Sequence, residues 1–448
     1  MSGALLPRPE LGDIRPFEAN PREINKLDNG MEVSSFALGR APLVFLRLNI
    51  RNHRVFNRES IWLERFSAQY LNEGGAGSYD PDSLAREFSS IGGQLHISAD
   101  EAATTFSTTV PSENLSTALN LLGLAVKEPT FPEQEAERIR DNLLRELELS
   151  LDQPQVAAAQ GFRNLVYGDD HHFGNLLPKR EYLQEFGRGD ALNYWSEQQS
   201  ADRAHIYVSG QFDREVLVNE VESNFSNWKV GGVALGDLGP AVWNHKTRLF
   251  NRDQAEQSTI YMGLPVISPG ESDWIALEVL NALLGGSFHS RITLNIREDK
   301  GYTYSPRSAL LTQPNDGIWL QMADVTTDVT AAAIKEILFE ISRIRTDPPE
   351  LDELQDIKQY MVGSFIRQMS EPVSRMGHFV FSDLHGISDD EDDHYIEQVM
   401  NLQPEDIRRT AETYLDPSRF SVSIAGDIDR IKDSLSSVEG LSPFETAT

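Results

Sequence analysis

The sequence predicts an α+β protein made of two homologous halves. Each half is an α/β sandwich, an antiparallel-rich sheet packed with helices, and the two face each other like a clam. Three observations predict this. A series of landmarks occurs twice in the same order. Strand-like and helix-like segments mix without strict βαβ alternation. A Gly-rich stretch, Val230 to Trp243, separates the two series. The division that follows is an N-terminal extension over 1–24, a first domain over 25–229, a linker over 230–243 and a second domain over 244–448.

The early landmarks are strands, Leu43 to Ile50 and Ser258 to Leu264, rich in β-branched and large apolar residues. A helix follows each, Ile61 to Leu71 and Trp274 to Leu284. A Gly pair then stops it, Gly74-Gly75 and Gly285-Gly286. Strand composition returns at Thr104 to Val110 and Gly317 to Ala323. The late landmarks begin with a charged amphipathic helix ending near a proline, Pro132 to Pro154 and Glu350 to Pro372. A polar helix closing in an aromatic comes next, at Tyr194-Trp195 and Tyr414-Leu415. An apolar strand ending in Gly follows, Ala204 to Gly210 and Phe420 to Gly426. The closing prolines lie 372 − 154 = 218 residues apart and the strand-end glycines 426 − 210 = 216. Near-equal offsets mark a duplication of about 200 residues, a normal domain size.

Composition removes several functions. The chain has 448 residues, 40% of them hydrophobic, enough for two real cores. With 40 basic against 69 acidic residues the net charge is −29, which repels a nucleic-acid backbone, and no basic patch offsets it. Cysteine is absent, so disulfides, thiolate nucleophiles and Cys-ligated zinc are excluded. Met1 to Asn20 lacks an apolar h-region and no eighteen-residue apolar window exists, so a soluble chain without a membrane span is expected. A mature chain with its leader removed would read the same, and cytoplasm and periplasm both stay open.

The ten His form no close metal-ligand pair on a helix. HExxH, HxxEH, GxSxG, the P-loop and the dinucleotide fingerprint are all absent. His171-His172 follow a Gly-Asp-Asp loop signal and read as a surface turn. His394 and Glu397 follow the acidic run Asp389 to Asp393, which reads as a solvated helix start. Gly74 to Gly77 follows a helix, lacks a phosphate-binding Lys and reads as a helix stop.

Gly285 to Pro306 reads GGSFHSRITLNIREDKGYTYSP. This resembles the C-terminal signature of the pitrilysin-type zinc peptidases, which include the mitochondrial processing peptidases. Asn29-Gly30, Gly92-Gly93 before a candidate substrate-edge strand, and the duplication itself extend the resemblance over about residues 25 to 430. The resemblance implies that Arg297 and Tyr304 contact substrate opposite the zinc. Arg291 and His289 on the same predicted helix are runners-up.

The family's zinc motif, His-x-x-Glu-His, falls on Arg65-Phe66-Ser67-Ala68-Gln69. Arg65 and Gln69 stand in place of the two His ligands and Ala68 in place of the catalytic Glu. The third ligand position holds Glu146. Arg is a cation and Ala has no polar atom, so no catalytic zinc is expected in this chain. Arg65 and Gln69 share a helix face. A buried Glu146 would need a partner, so Arg65 is expected to pair with it, the alternative being that both heads enter solvent. The resemblance then implies a non-zinc subunit of a heteromeric zinc metalloendopeptidase. A homologous partner would carry the zinc, and an unfolded peptide substrate would add as an extra strand at an exposed sheet edge. The alternative is an inert structural or peptide-binding member of the same fold.

Overall fold

The structure, a computed structural model, describes residues 21–52, 58–231, 242–313, 316–441 and 443–447. The first half runs β1 (Glu23–Lys26), β2 (Glu32–Ala37), β3 (Leu43–Arg51), α1 (Leu63–Glu73), α2 (Pro81–Ser90), β4 (His96–Ala99) and β5 (Ala103–Pro111). It continues through α3 (Leu115–Lys127), α4 (Glu135–Leu151), α5 (Pro154–Tyr167), α6 (Arg180–Glu185), α7 (Arg188–Gln198), β6 (Ala204–Gly210) and α8 (Arg214–Phe225). The second half runs β7 (Thr247–Asn251), β8 (Gln257–Val266), α9 (Trp274–Asn281), α10 (Arg291–Thr293), β9 (Arg307–Gln313), β10 (Asp316–Thr326) and α11 (Thr330–Thr346). It closes with α12 (Leu351–Ser370), α13 (Pro372–His385), α14 (Asp389–Asn401), α15 (Pro404–Tyr414), β11 (Ser421–Gly426), α16 (Ile428–Leu435) and β12 (Phe444–Ala447).

Each half forms a six-stranded sheet, ordered β1-β2-β6-β3-β5-β4 and β12-β7-β11-β8-β10-β9. The sheets are antiparallel-rich, as expected, with a minority of parallel pairings. β6 inserts between β2 and β3, parallel to the first and antiparallel to the second, and β11 does the same between β7 and β8. The reason is topological: a late strand that slots between two earlier antiparallel ones must run with one of them. The outermost strand comes from opposite ends of the chain, β1 in one sheet and β12 in the other. β1 starts at Glu23, so the first sheet reaches into the predicted 1–24 extension. The linker expected at 230–243 falls mostly on 232–241, outside the described residues.

Alternation sets the faces. On β3, Val44, Leu46, Leu48 and Ile50 turn to a core shared with Phe66, Leu119, Ile139, Trp195 and Leu217 from the covering helices. Phe45, Arg47 and Asn49 turn to the opposite face. An equivalent core lies under the second sheet, around Ile260, Trp319 and Ile424.

The opposite faces are covered by exchange. α5, from the first half, packs on the second sheet, where Phe162, Val166 and Tyr167 meet Ile318 and Leu320. α13, from the second half, packs on the first sheet, where Met376 and Phe379 meet Phe36 and Tyr207. Gly161 makes the first contact possible, since a Cβ there would lie 2.3 Å from the Phe250 ring and 2.4 Å from Ser423 Oγ. The second contact is tied by Arg22, 8% exposed, which donates to Asp383 on α13 and Asp389 on α14 at 2.6 and 2.7 Å.

The predicted helix at Ile61 begins two residues late because Trp62 sits at φ 69°, a left-handed conformation that a right-handed helix cannot include. Gly74 does stop α1, with φ −88° rather than a left-handed cap. A glycine is required there because a Cβ would lie 2.2 Å from the Thr130 carbonyl. The helix predicted over Trp274 to Leu284 is α-helical only to Asn281 and continues as a π-helical turn, Ala282–Gly286.

Candidate functional site

α1 and α4 carry Arg65, Ala68, Gln69 and Glu146, the positions on which the resemblance places the zinc motif. Arg65 Nη2 donates to Glu146 Oε1 at 2.5 Å, joining the two helices. The Arg65 guanidinium also lies 4.4 Å from the Trp62 ring centre. The pair is half-exposed, at 36% and 42% of side-chain surface, so Glu146 is not the buried carboxylate expected. It lies on the half-polar flank of α4, whose buried residues are Ile139, Leu143 and Leu147. Ala68 is buried and Gln69 half-buried on the same helix. This donor set does not fit zinc. A guanidinium donates and cannot ligate, it holds the one carboxylate, and Ala68 offers no atom to a water. Among the described residues no three His, Asp or Glu converge in a way that could hold a metal.

Two features of α1 were not legible in the sequence. Glu64, one residue before the motif positions, is pushed up to about 7 by burial, with Glu101 adding and Arg65 opposing. Asn72 accepts from Ile97 N at 3.1 Å and donates to Ile97 O at 2.7 Å. β4 is the sheet edge expected to take substrate, and Gly92, at φ 76°, turns the chain into it. The Asn72 amide therefore already occupies outward backbone groups that an added strand would use.

The Arg/Tyr positions lie in the second half on one cleft of about 1020 Å³. Arg297 sits on a π-helical turn, Leu294–Asp299, which follows α10 directly. The wider turn is held from behind by Asn295, which donates to Glu336 at 3.0 Å and Glu340 at 2.9 Å on α11. Arg297 Nε donates to Glu298 at 2.7 Å, and its guanidinium lies 3.8 Å from the centre of the Phe288 ring. Its Nη2 is buried with no hydrogen-bond partner. Tyr304 is 89% exposed on the same cleft, whereas Tyr302 packs half-buried against the core.

The runners-up leave the site. Arg291 is buried and donates twice to Glu353, at 2.7 and 2.7 Å, away from the cleft. His289 lies in the turn before α10, not on a helix. The structure adds Phe288 and Arg307 to the cleft, together with Gln155 at the start of exchanged α5, which donates to Asp324 at 3.3 Å. A large apolar residue exposed beside a Gly pair was the one sequence signal for Phe288.

His171 faces Phe173 N as an acceptor and stacks on Tyr167 at 5.0 Å, within a turn. His394 and Glu397 are exposed and 3.9 Å apart on α14. No helix among the described residues is long and apolar enough to cross a membrane.

Comparison with known proteins bears on the family and the fold. A family model described as Insulinase (Peptidase family M16) matches residues 71–169, and one described as Peptidase M16 inactive domain matches residues 185–361. An uncharacterized zinc protease of Rickettsia bellii is 24% identical over 90% of this chain and 97% of its own length. An uncharacterized zinc protease of Bacillus subtilis is 25% identical over 67% and 73%. Among solved structures, a protease from Helicobacter pylori superposes with a TM-score of 0.84 at 17% identity, covering 91% of this chain and 100% of that one. A peptidase M16 inactive domain from Pseudomonas fluorescens gives 0.80 at 17% identity, covering 90% and 98%.

Proposed function

Because the chain belongs to the M16, pitrilysin-like peptidase family, we propose that it is the non-zinc subunit of a heteromeric metalloendopeptidase. The observation that carries this reading is an asymmetry. The zinc positions are closed by the Arg65–Glu146 pair, while Arg297 and Tyr304 share an open cleft. In this reading a homologous partner supplies the zinc and its hydrolytic water.

This chain's part needs no metal. A guanidinium gives charge-assisted hydrogen bonds to a peptide carbonyl, and stronger ones to the oxyanion that develops from it. A phenol donates to the same oxygen. Arg297 has a buried donor without an acceptor among the described residues, and the exposed Phe288 ring stacks on its guanidinium beside the cleft. Asp324 and Gln155 fix the cleft wall from both halves.

The test is paired. The chain is purified alone and co-expressed with a homologue that carries His-x-x-Glu-His. Bound zinc is measured by elemental analysis, and hydrolysis of an unstructured peptide is followed. Neither zinc nor activity alone, with both present in a stable complex, supports the proposal. Stoichiometric zinc in the lone chain sinks it. A second reading, an inert structural or peptide-binding subunit, draws on Arg297 being already engaged by Glu298 and Phe288. An inactive but stable complex would favour it.

A further inference from the structure

The face of the first sheet opposite its core holds a half-open chamber of about 140 Å³ against α13. That is several times the roughly 30 Å³ share of one water. A groove of about 650 Å³ runs beside it toward β4, and Arg47 and Thr105 line both spaces. Arg47 thus stands where the groove and the smaller chamber meet.

The charges around the chamber are unevenly satisfied. Asp383 receives Arg22 and the Tyr207 hydroxyl. Asp100 receives the backbone N–H groups of Ala102 and Ala103. Asp202 receives the Ser200 hydroxyl. Glu32 pairs with Lys26. Among the described residues the arginines of the chamber meet neutral acceptors rather than carboxylates, Arg203 Nη2 donating to the Glu197 and Gln198 carbonyls. Arg47 spends Nε on the Asn49 amide oxygen at 3.0 Å, and no carboxylate meets its two terminal nitrogens. Arg51, exposed at the rim, has no ion pair among the described residues, and Arg203 Nη1 is buried with no acceptor among them. Burial lowers the proton affinity of both Arg47 and Arg203, and the nearby charges of Asp100 and Asp202 respectively offset this only in part. A planar guanidinium with two free parallel donors matches one chemical group above others, a carboxylate taken bidentately.

We propose that this chamber binds a small carboxylate, with Arg47 as its fork and Arg51 beside it. The carboxylate belongs either to a free organic acid or to the C-terminus of a peptide lying in the groove. The site is separate from the Arg297 cleft and does not depend on hydrolysis.

The test uses the full chain alone. Thermal unfolding is followed with sodium succinate against sodium chloride at equal ionic strength. Binding of tetra-alanine with a free C-terminus is compared with its C-terminal amide by calorimetry. The expected result is a saturable succinate stabilisation, or at least tenfold tighter binding of the free-acid peptide. The effect should be lost in Arg47→Met and partly kept in Arg47→Lys. Stabilisation by succinate alone identifies a free acid, and preference for the peptide acid identifies a chain terminus. Equal responses to carboxylate and chloride, or an effect that survives in a folded Arg47→Met, overturn the proposal. Should Arg47→Met fail to fold, Arg51→Met and Arg47→Lys carry the same comparison. None of these outcomes touches the subunit proposal, which is read from zinc and hydrolysis.

Discussion

Asn72, on α1, clamps Ile97, on β4, through both of its backbone hydrogen-bonding groups, at 3.1 and 2.7 Å. The side-chain amide does what a neighbouring strand would do. The edge of the first sheet is therefore closed at its centre by α1, the helix that also carries Arg65, Ala68 and Gln69. Removing the clamp should free the edge. Asn72→Ala is expected to raise affinity for an unstructured peptide severalfold, read by fluorescence anisotropy. It should also cost about 1–2 kcal/mol of stability as two hydrogen bonds are lost. Unchanged affinity in a folded variant would show that substrate does not use this edge.

The Arg65–Glu146 pair predicts a small energy and a recoverable site. Both groups are more than a third exposed, so a double-mutant cycle should give a coupling of only about 0.2–1 kcal/mol. The combined change Arg65→His, Ala68→Glu and Gln69→His restores two ligands and a base next to Glu146. It should bind one zinc per chain by elemental analysis, and adding Glu146→Gln should weaken that binding. A triple variant that folds but stays metal-free would mean that α1 and α4 are not set at ligand geometry.

In an assembled active complex, Arg297→Ala should lower kcat at least tenfold without dissociating the subunits. That is the scale of losing one oxyanion donor or more. Tyr304→Phe should lower turnover and leave the melting temperature unchanged, because the side chain is 89% exposed. Equal kinetics in intact complexes would assign both residues to the surface.

Gly161 reports on the helix exchange. Gly161→Ala forces a methyl into Phe250 and Ser423 and should cost about 1–3 kcal/mol in urea unfolding. Gly189→Ala, on α7 with nothing within 4 Å, should be neutral or stabilising by about 0.5–1 kcal/mol. If both behave alike, α5 does not sit tightly on the second sheet.

His205 sets a pH dependence. Burial lowers it from 6.5 to about 4, opposed by Asp383 and Glu32 and reinforced by Arg22 and Arg51. Ser34 lies 2.8 Å from its Nε2. The unfolded chain binds the proton first, so stability is full above about pH 6.5 and falls as pH drops toward 4. His205→Gln should flatten that part of the stability curve, measured by denaturant titrations at pH 7.0, 6.0 and 5.0. A wild-type slope retained in the variant would assign the acid sensitivity elsewhere.

The sequence by itself determined what linear spacing encodes. The 216–218 offset marks the duplication, and β3, α4, β6 and their counterparts lie where their patterns place them, while α1 and α9 do so apart from their ends. That Arg65, Ala68 and Gln69 stand where zinc ligands and a base would be, and that Arg297 and Tyr304 stand where substrate contacts would be, is implied by the family resemblance; residue chemistry adds that the first three could not hold a metal or activate a water. Tertiary structure decided the rest. Apolar periodicity says that α5 and α13 have a buried face, but not that each lies on the other half's sheet. Nothing in the sequence marks Tyr304 as exposed over Tyr302, Glu146 as half-solvated, or Trp62 as left-handed. Nor does it show Asn72 closing β4, or Arg47 facing a chamber roofed by α13. The physical reason is the same in each case. A residue's own chemistry and its spacing fix its face and its potential partners, whereas burial, charge compensation and access depend on which distant segment packs against that face.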